Sequence, residues 1–123
     1  MDIEQLKQAI SKYPLYSQDG KGLNAVVLAR ASINKWIWYI LEGNDLYNND
    51  LDLYGLVNGQ ELEYGYFRYM DFLNINNDDS IQDNVSLEIL PAETKLKDML
   101  IQDNLYDTYI ATYPVKDDAE SNN

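Results

Sequence analysis

The sequence predicts an α+β domain, an antiparallel β-meander of four to five strands with an N-terminal and a C-terminal helix. Three observations carry that expectation. Residues 36–41 form an aromatic and β-branched run, Asn58-Gly59 separates two alternating segments, and apolar stripes at helical spacing lie near both ends.

Asp2 followed three residues later by Gln5 has the form of a capping box, and Ile3, Leu6 and Ile10 share one helical stripe. Residues 3–12 are therefore expected as a short amphipathic helix. Pro14 disfavours helical geometry at Tyr13, and Gly20 and Gly22 bracket a tight loop, which makes residues 13–22 a connection. The continuous apolar run 25–29 reads as a strand buried on both faces. Asn34-Lys35 then connects it to a central strand at 36–41, with Trp36, Trp38 and Ile40 on one face and Ile37, Tyr39 and Leu41 on the other.

Residues 42–50, rich in Asn, Asp and Gly, read as a loop. A strand at 51–57 follows, and Asn58-Gly59 predicts a type I′ turn, whose two positive φ angles match the twist of flanking strands. The next strand, 60–68, places Leu62, Tyr64 and Tyr66 on one face and Glu61, Glu63, Gly65 and Phe67 on the other. Met70, Phe72 and Leu73 suggest a short helical turn ended by the polar stretch 74–80. Residues 85–90 alternate as a fifth strand, at an edge because Pro91 follows. The stripe of Leu96, Met99 and Leu100 marks a second helix over 92–103, with Tyr106, Ile110 and Tyr113 extending its apolar contacts. Residues 1–113 thus form a single α+β domain, and 114–123 an acidic disordered tail. The helices are expected to cover one sheet face and to leave the other partly open.

A chain of 123 residues suits one hydrophobic core, and its apolar runs are far too short to span a bilayer. The first residues are acidic and carry no apolar signal region, so a cytoplasmic location is expected. Cysteine and histidine are both absent. That removes disulfides, the usual zinc ligand sets, thiol nucleophiles and imidazole bases, so neither a cofactor nor a metal is expected. The formal net charge is −12, from 21 carboxylates against 9 Lys and Arg. Such a surface repels a phosphate backbone, which argues against direct nucleic-acid binding. It suits either a basic protein partner or simple solubility.

Glu61 and Glu63 lie two apart on an expected strand, about 6.6 Å between Cα atoms, close enough for paired work. Paired glycosidase chemistry would further need a protonated partner and a sugar cleft, and no catalytic residue is assigned. Asn48, Asp50 and Asp52 imitate the opening of a calcium loop, but Leu53 and Gly59 stand where its Gly and bidentate acid belong. Gly20-Lys21-Gly22 lacks the remainder of a phosphate-binding loop, and Asn84-Val85-Ser86 matches the glycosylation tripeptide by chance. The eleven tyrosines are more informative, because a large ring with a polar tip suits interfaces as well as a small core. Tyr54, Tyr64, Tyr66 and Tyr69, interleaved with Asp52, Glu61, Glu63 and Asp71, are expected as an acidic aromatic binding surface on one hairpin.

Several segments in order carry a resemblance. They are Pro14-Leu15-Tyr16, Gly20-Lys21-Gly22, the apolar run 25–29, Trp36-Ile37-Trp38-Tyr39, and Tyr54-Gly55-Leu56-Val57-Asn58-Gly59 leading to Glu61-Leu62-Glu63-Tyr64-Gly65-Tyr66-Phe67. Over roughly residues 5–100 the chain resembles the DUF2958-like family, small bacterial domains of unknown function carried by plasmids, conjugative elements and phages. The chain departs from that pattern after Phe67, where residues 68–75 and an Asn-rich insertion stand in place of the family's small helix with acidic positions, and in its C-terminal helix and tail. The resemblance implies a fold and a mobile-element setting, and assigns no catalytic residue.

Two functions are weighed. The first is an acidic accessory factor of a mobile genetic element that binds a basic host protein surface, in its sharper form a nucleic-acid mimic inhibiting a host defence or nucleic-acid-handling protein. The second is a small-ligand-binding or enzyme-like domain using a pocket between sheet and helices, with Tyr39, Tyr66 and Asp52 as its polar groups. Self-association as a structural protein is a third, blander reading.

Overall fold

The computed structural model describes residues 1–114; the expected tail from 115 onward lies outside the described residues. The α+β class and the meander hold. Helix α1 spans Ile3–Ile10, strands β1 to β4 span Ala29–Ile33, Trp36–Asp45, Leu51–Asn58 and Leu62–Arg68, and α2 spans Tyr69–Asn76. Strand β5, Ser86–Ile89, precedes α3, Leu96–Gln102, and α4, Tyr106–Thr112. The five strands are ordered β4-β3-β2-β1-β5, and every pairing is antiparallel.

Alternation along the strands sorts side chains into two cores. Trp38 and Ile40 of β2, Leu51 and Leu53 of β3, and Phe67 of β4 pack with Leu6 and Ile10 of α1 and Phe72 of α2. Tyr39, Leu41, Leu56 and Leu62 point the other way, against Leu96, Met99 and Leu100 of α3 and Tyr109 of α4. Both sheet faces are therefore covered, which corrects the expectation of one partly open face. The reason lies in β2 and β3, whose two faces are both apolar and cannot stay wet at acceptable cost.

Several local expectations shift. The Asp2 side chain caps α1 by accepting from the Glu4 N–H at 2.9 Å. Residues 25–28 are extended and buried on both sides, but β1 proper begins at Ala29, where pairing with β2 and β5 becomes continuous. Residues 42–45 extend β2 and are not loop. Helix α2 runs through Asn76, longer than a single turn, because Asp50 Oδ1 accepts from the Met70 N–H at 2.9 Å and Asp71 Oδ2 from the Arg68 N–H at 2.9 Å. The helical region expected at 92–103 starts later, at Leu96, and a separate α4 follows it.

The β3–β4 turn also differs from type I′. Asn58 pairs with Leu62, so the connection is the three residues Gly59, Gln60 and Glu61, closed by Gly59 N–H to the Glu61 carbonyl at 3.0 Å. Neither Asn58 nor Gly59 has a positive φ. Gly59 is needed for a different reason, since a Cβ there would overlap the Trp36 ring that packs across it. The Asn34-Lys35 connection stands as expected, with Ile33 paired to Trp36 and a positive φ of 54° at Asn34. Among the described residues no helix is long and apolar enough to cross a membrane.

Candidate functional site

A concave feature forms on the α3/α4 side of the sheet, where β2, β3 and β4 meet the loop before β1 and the end of α4. Between Ile40 and Glu42 the β2–β3 register slips by one residue, a bulge that turns the carboxylate of Glu42 to the same face as Leu41 and Tyr54. Glu42 is thereby buried at 2% exposure. Its Oε1 accepts from the Tyr16 N–H and its Oε2 from the Gln18 N–H, each at 2.7 Å. Two such bonds compensate part of the cost of removing the carboxylate from water.

Gln18, itself buried, continues the network. Its amide donates at 2.8 Å to the carbonyls of both Val26 and Leu41, and accepts from the Val26 N–H at 2.7 Å. One side chain thus serves backbone groups where the bulge and the non-strand run 25–28 leave the sheet ladder. Glu42 and Gln18 together fix the loop that begins at Pro14 against the sheet.

Above them lies a cavity of about 440 Å³, walled by Tyr54, Tyr64, Tyr109 and Tyr113, with Asp19, Gln18 and Glu42 supplying polar groups. The rings are contiguous and set at angles. Tyr64 is near-parallel to Tyr54 at 6.1 Å, and edge-on to Tyr109 and Tyr113 at 6.2 and 5.3 Å. The Tyr64 and Tyr109 hydroxyls share a hydrogen bond of 2.7 Å. Burial pushes the Tyr64 phenol well above its ordinary pKa, with that hydrogen bond adding to the effect. Tyr54 is also raised, first by burial and then by the negative potential of Glu42 and Asp19. Tyr66, packed against Tyr54, is pushed up to about 12, chiefly by its hydrogen bond with Tyr16.

The expected binding surface does not form as one patch. Tyr54 and Tyr64 line the cavity, and Tyr66, outside its lining, packs against Tyr54 with rings 4.8 Å apart. Glu61 and Glu63 leave for the opposite side, where with Trp36, Val57 and Gly59 they line a shallow depression of about 180 Å³. Glu61 lies in the turn and only Glu63 on β4, because β4 starts at Leu62. Tyr69 is buried at 4% in the α1/α2 core and is no surface residue. Asp52 faces Arg68 at 3.8 Å, and Asp71 serves the α2 cap.

For the expected pocket, none of Tyr39, Asp52 and Tyr66 lines the cavity, although Tyr66 packs against Tyr54, which does. The Tyr39 hydroxyl instead donates to Asp103 Oδ2 at 2.6 Å, and Arg30 holds the same carboxylate through Nε at 2.9 Å and Nη2 at 3.1 Å. Sequence reasoning missed Glu42, Gln18, Asp19, Tyr109 and Tyr113 as site residues. The spacing of Leu105, Tyr109 and Tyr113, four apart, is the one signal that could have found the two tyrosines. Glu42 had none, since simple alternation assigns it to the face of Trp38 and Ile40.

Asp50 of the calcium-like segment is committed to backbone N–H groups of Leu51 and Met70 and lies 3.6 Å from Arg68. Among the described residues no group of three acidic side chains is arranged to hold a metal ion. No protein-family model, curated protein or solved structure matches the chain.

Proposed function

We propose that this chain is a binding protein whose acidic exterior docks a basic partner protein, in the mobile-element setting that the resemblance implies. Its sharper form is a nucleic-acid mimic that occupies the phosphate-binding surface of a host defence or nucleic-acid-handling protein. The observation that carries the reading is the depression around Trp36. Glu61 and Glu63 are both exposed there, neither takes part in an ion pair among the described residues, and Trp36, lining the same depression, remains 44% exposed. Carboxylates without an intramolecular cation, beside an exposed aromatic ring, suit Lys and Arg of a partner.

The test is capture of partners from host lysate, identification by mass spectrometry, and affinity measurement on the purified partner. Affinity should fall about tenfold or more from low to high ionic strength, and again in the Glu61→Gln/Glu63→Gln double variant. An affinity indifferent to both changes would reject the docking surface.

A second reading is favoured by a separate observation, the tyrosine-walled cavity over Glu42. Its size falls within the range of small-molecule sites, and a few polar groups converge on a lining of four tyrosine rings and small or aliphatic residues. In that reading the chain is a small-ligand-binding domain.

A further inference from the structure

The cavity over Glu42 has an unusual balance of chemistry. Two carboxylates, Asp19 and Glu42, and four tyrosine rings contribute to its lining, and among the described residues neither Lys nor Arg does. Lys21, the nearest basic residue in sequence, is exposed, and it is its neighbours Gly20 and Gly22 that reach the cavity. Glu42 is held in place by two backbone N–H groups, and a carboxylate offers about four acceptor directions, so oxygen lone pairs remain available beyond those two bonds. Tyr113 and Tyr109 stand edge-on to Tyr64 at 69° and 80°, which makes the aromatic lining a corner and not a flat wall. Aromatic rings and carboxylates in one concavity attract a cation by both the ring quadrupole and direct charge.

We propose that this cavity binds an organic ammonium ion with a short apolar body, the charge facing Asp19 and Glu42 and the body against Tyr54, Tyr64 and Tyr113. The inference rests on the small-ligand reading and is independent of the Trp36 depression on the opposite face. Anions are disfavoured by the two carboxylates. A neutral ligand of the same shape keeps the aromatic contact and loses the charge attraction.

The experiment is calorimetric or tyrosine-fluorescence titration of the full chain with butylammonium, tetramethylammonium and the neutral analogue 1-butanol. Saturable binding of at least one cation, tenfold or more tighter than 1-butanol, is expected. Asp19→Asn, at an exposed loop position, should weaken cation binding several-fold and leave 1-butanol unaffected. Tyr54→Leu should weaken it comparably, while Tyr54→Phe, which keeps the ring, should retain it. Far-ultraviolet circular dichroism identifies any variant that fails to fold, and the probe comparison on the unmodified chain stands regardless. Equal saturable binding of cations and 1-butanol would overturn the ammonium preference and leave the small-ligand reading in place. Absence of saturable binding by all three probes would overturn both.

Discussion

At the scale of single residues, Glu42 is a carboxylate held by the backbone that also lines the cavity. Each of its oxygens faces a backbone donor, from Tyr16 and Gln18, at 2.7 Å in a site with almost no solvent. Glu42→Gln keeps the shape but replaces one acceptor by an amide N–H₂ that points at a backbone N–H. Two donors then oppose each other away from water, and a charge-assisted bond is lost as well. The variant should be destabilised by about 1–3 kcal/mol in urea unfolding, with faster amide exchange in residues 14–18 than elsewhere. A change within ~0.5 kcal/mol would show that the loop is held by other contacts. Glu61→Gln, exposed and unpaired, should lie within that smaller range and is the appropriate control.

Elements explain which features the sequence made legible. Strands β2 to β5 and the two terminal helical regions follow from periodicity, because half-buried strands and amphipathic helices print their burial on the residue pattern, whereas β1, Ala29–Ile33, lies almost wholly beyond the apolar run 25–29 that reads as the strand. The Glu42 bulge leaves no such print, as a one-residue slip inverts every face assignment beyond it without altering composition. The Tyr54, Tyr64 and Tyr66 part of the site was legible for the same reason that β3 and β4 were, since cross-strand neighbours on one face must meet. Tyr109 and Tyr113 reach the site only because α3 and α4 fold back over the sheet, a tertiary fact. That return is fixed by Asp103 at the end of α3, bound by Arg30 of β1 and Tyr39 of β2. Burial first, and the Asp103 hydrogen bond second, hold the Tyr39 phenol well above its ordinary pKa of 10.0. As pH rises past that value the unfolded chain loses the phenolic proton while the folded chain retains it, so the unfolded state binds fewer protons and stability falls. Stability from this group is therefore complete below about pH 10 and declines above it, by about 1.4 kcal/mol per pH unit for one phenol. Urea unfolding between pH 9 and 11 (roughly the window set by the free phenol) should show a shallower decline for Tyr39→Phe than for the unmodified chain. Parallel slopes would mean that Tyr39 titrates alike in both states.

For the molecule as a whole, a formal charge of −12 acts in two opposite ways on measurable behaviour. Within the folded chain the excess carboxylates repel one another, and among the described residues a few are offset by the ion pairs of Lys7, Arg30, Arg68 and Lys95. The unfolded chain spreads the same charges farther apart, so added salt, by screening, relieves the folded state more. The midpoint of thermal unfolding should rise by several degrees from about 10 mM to about 300 mM sodium chloride, where the screening length shrinks from ~30 Å to under 10 Å. Docking of a basic partner responds with the other sign, because the same screening weakens attraction between unlike surfaces. A protein that becomes more stable and binds more weakly over one salt series uses its charge at the interface. If affinity were to rise in parallel with the unfolding midpoint, the contact would be apolar, and the carboxylates around Trp36 would serve only to keep the chain dissolved.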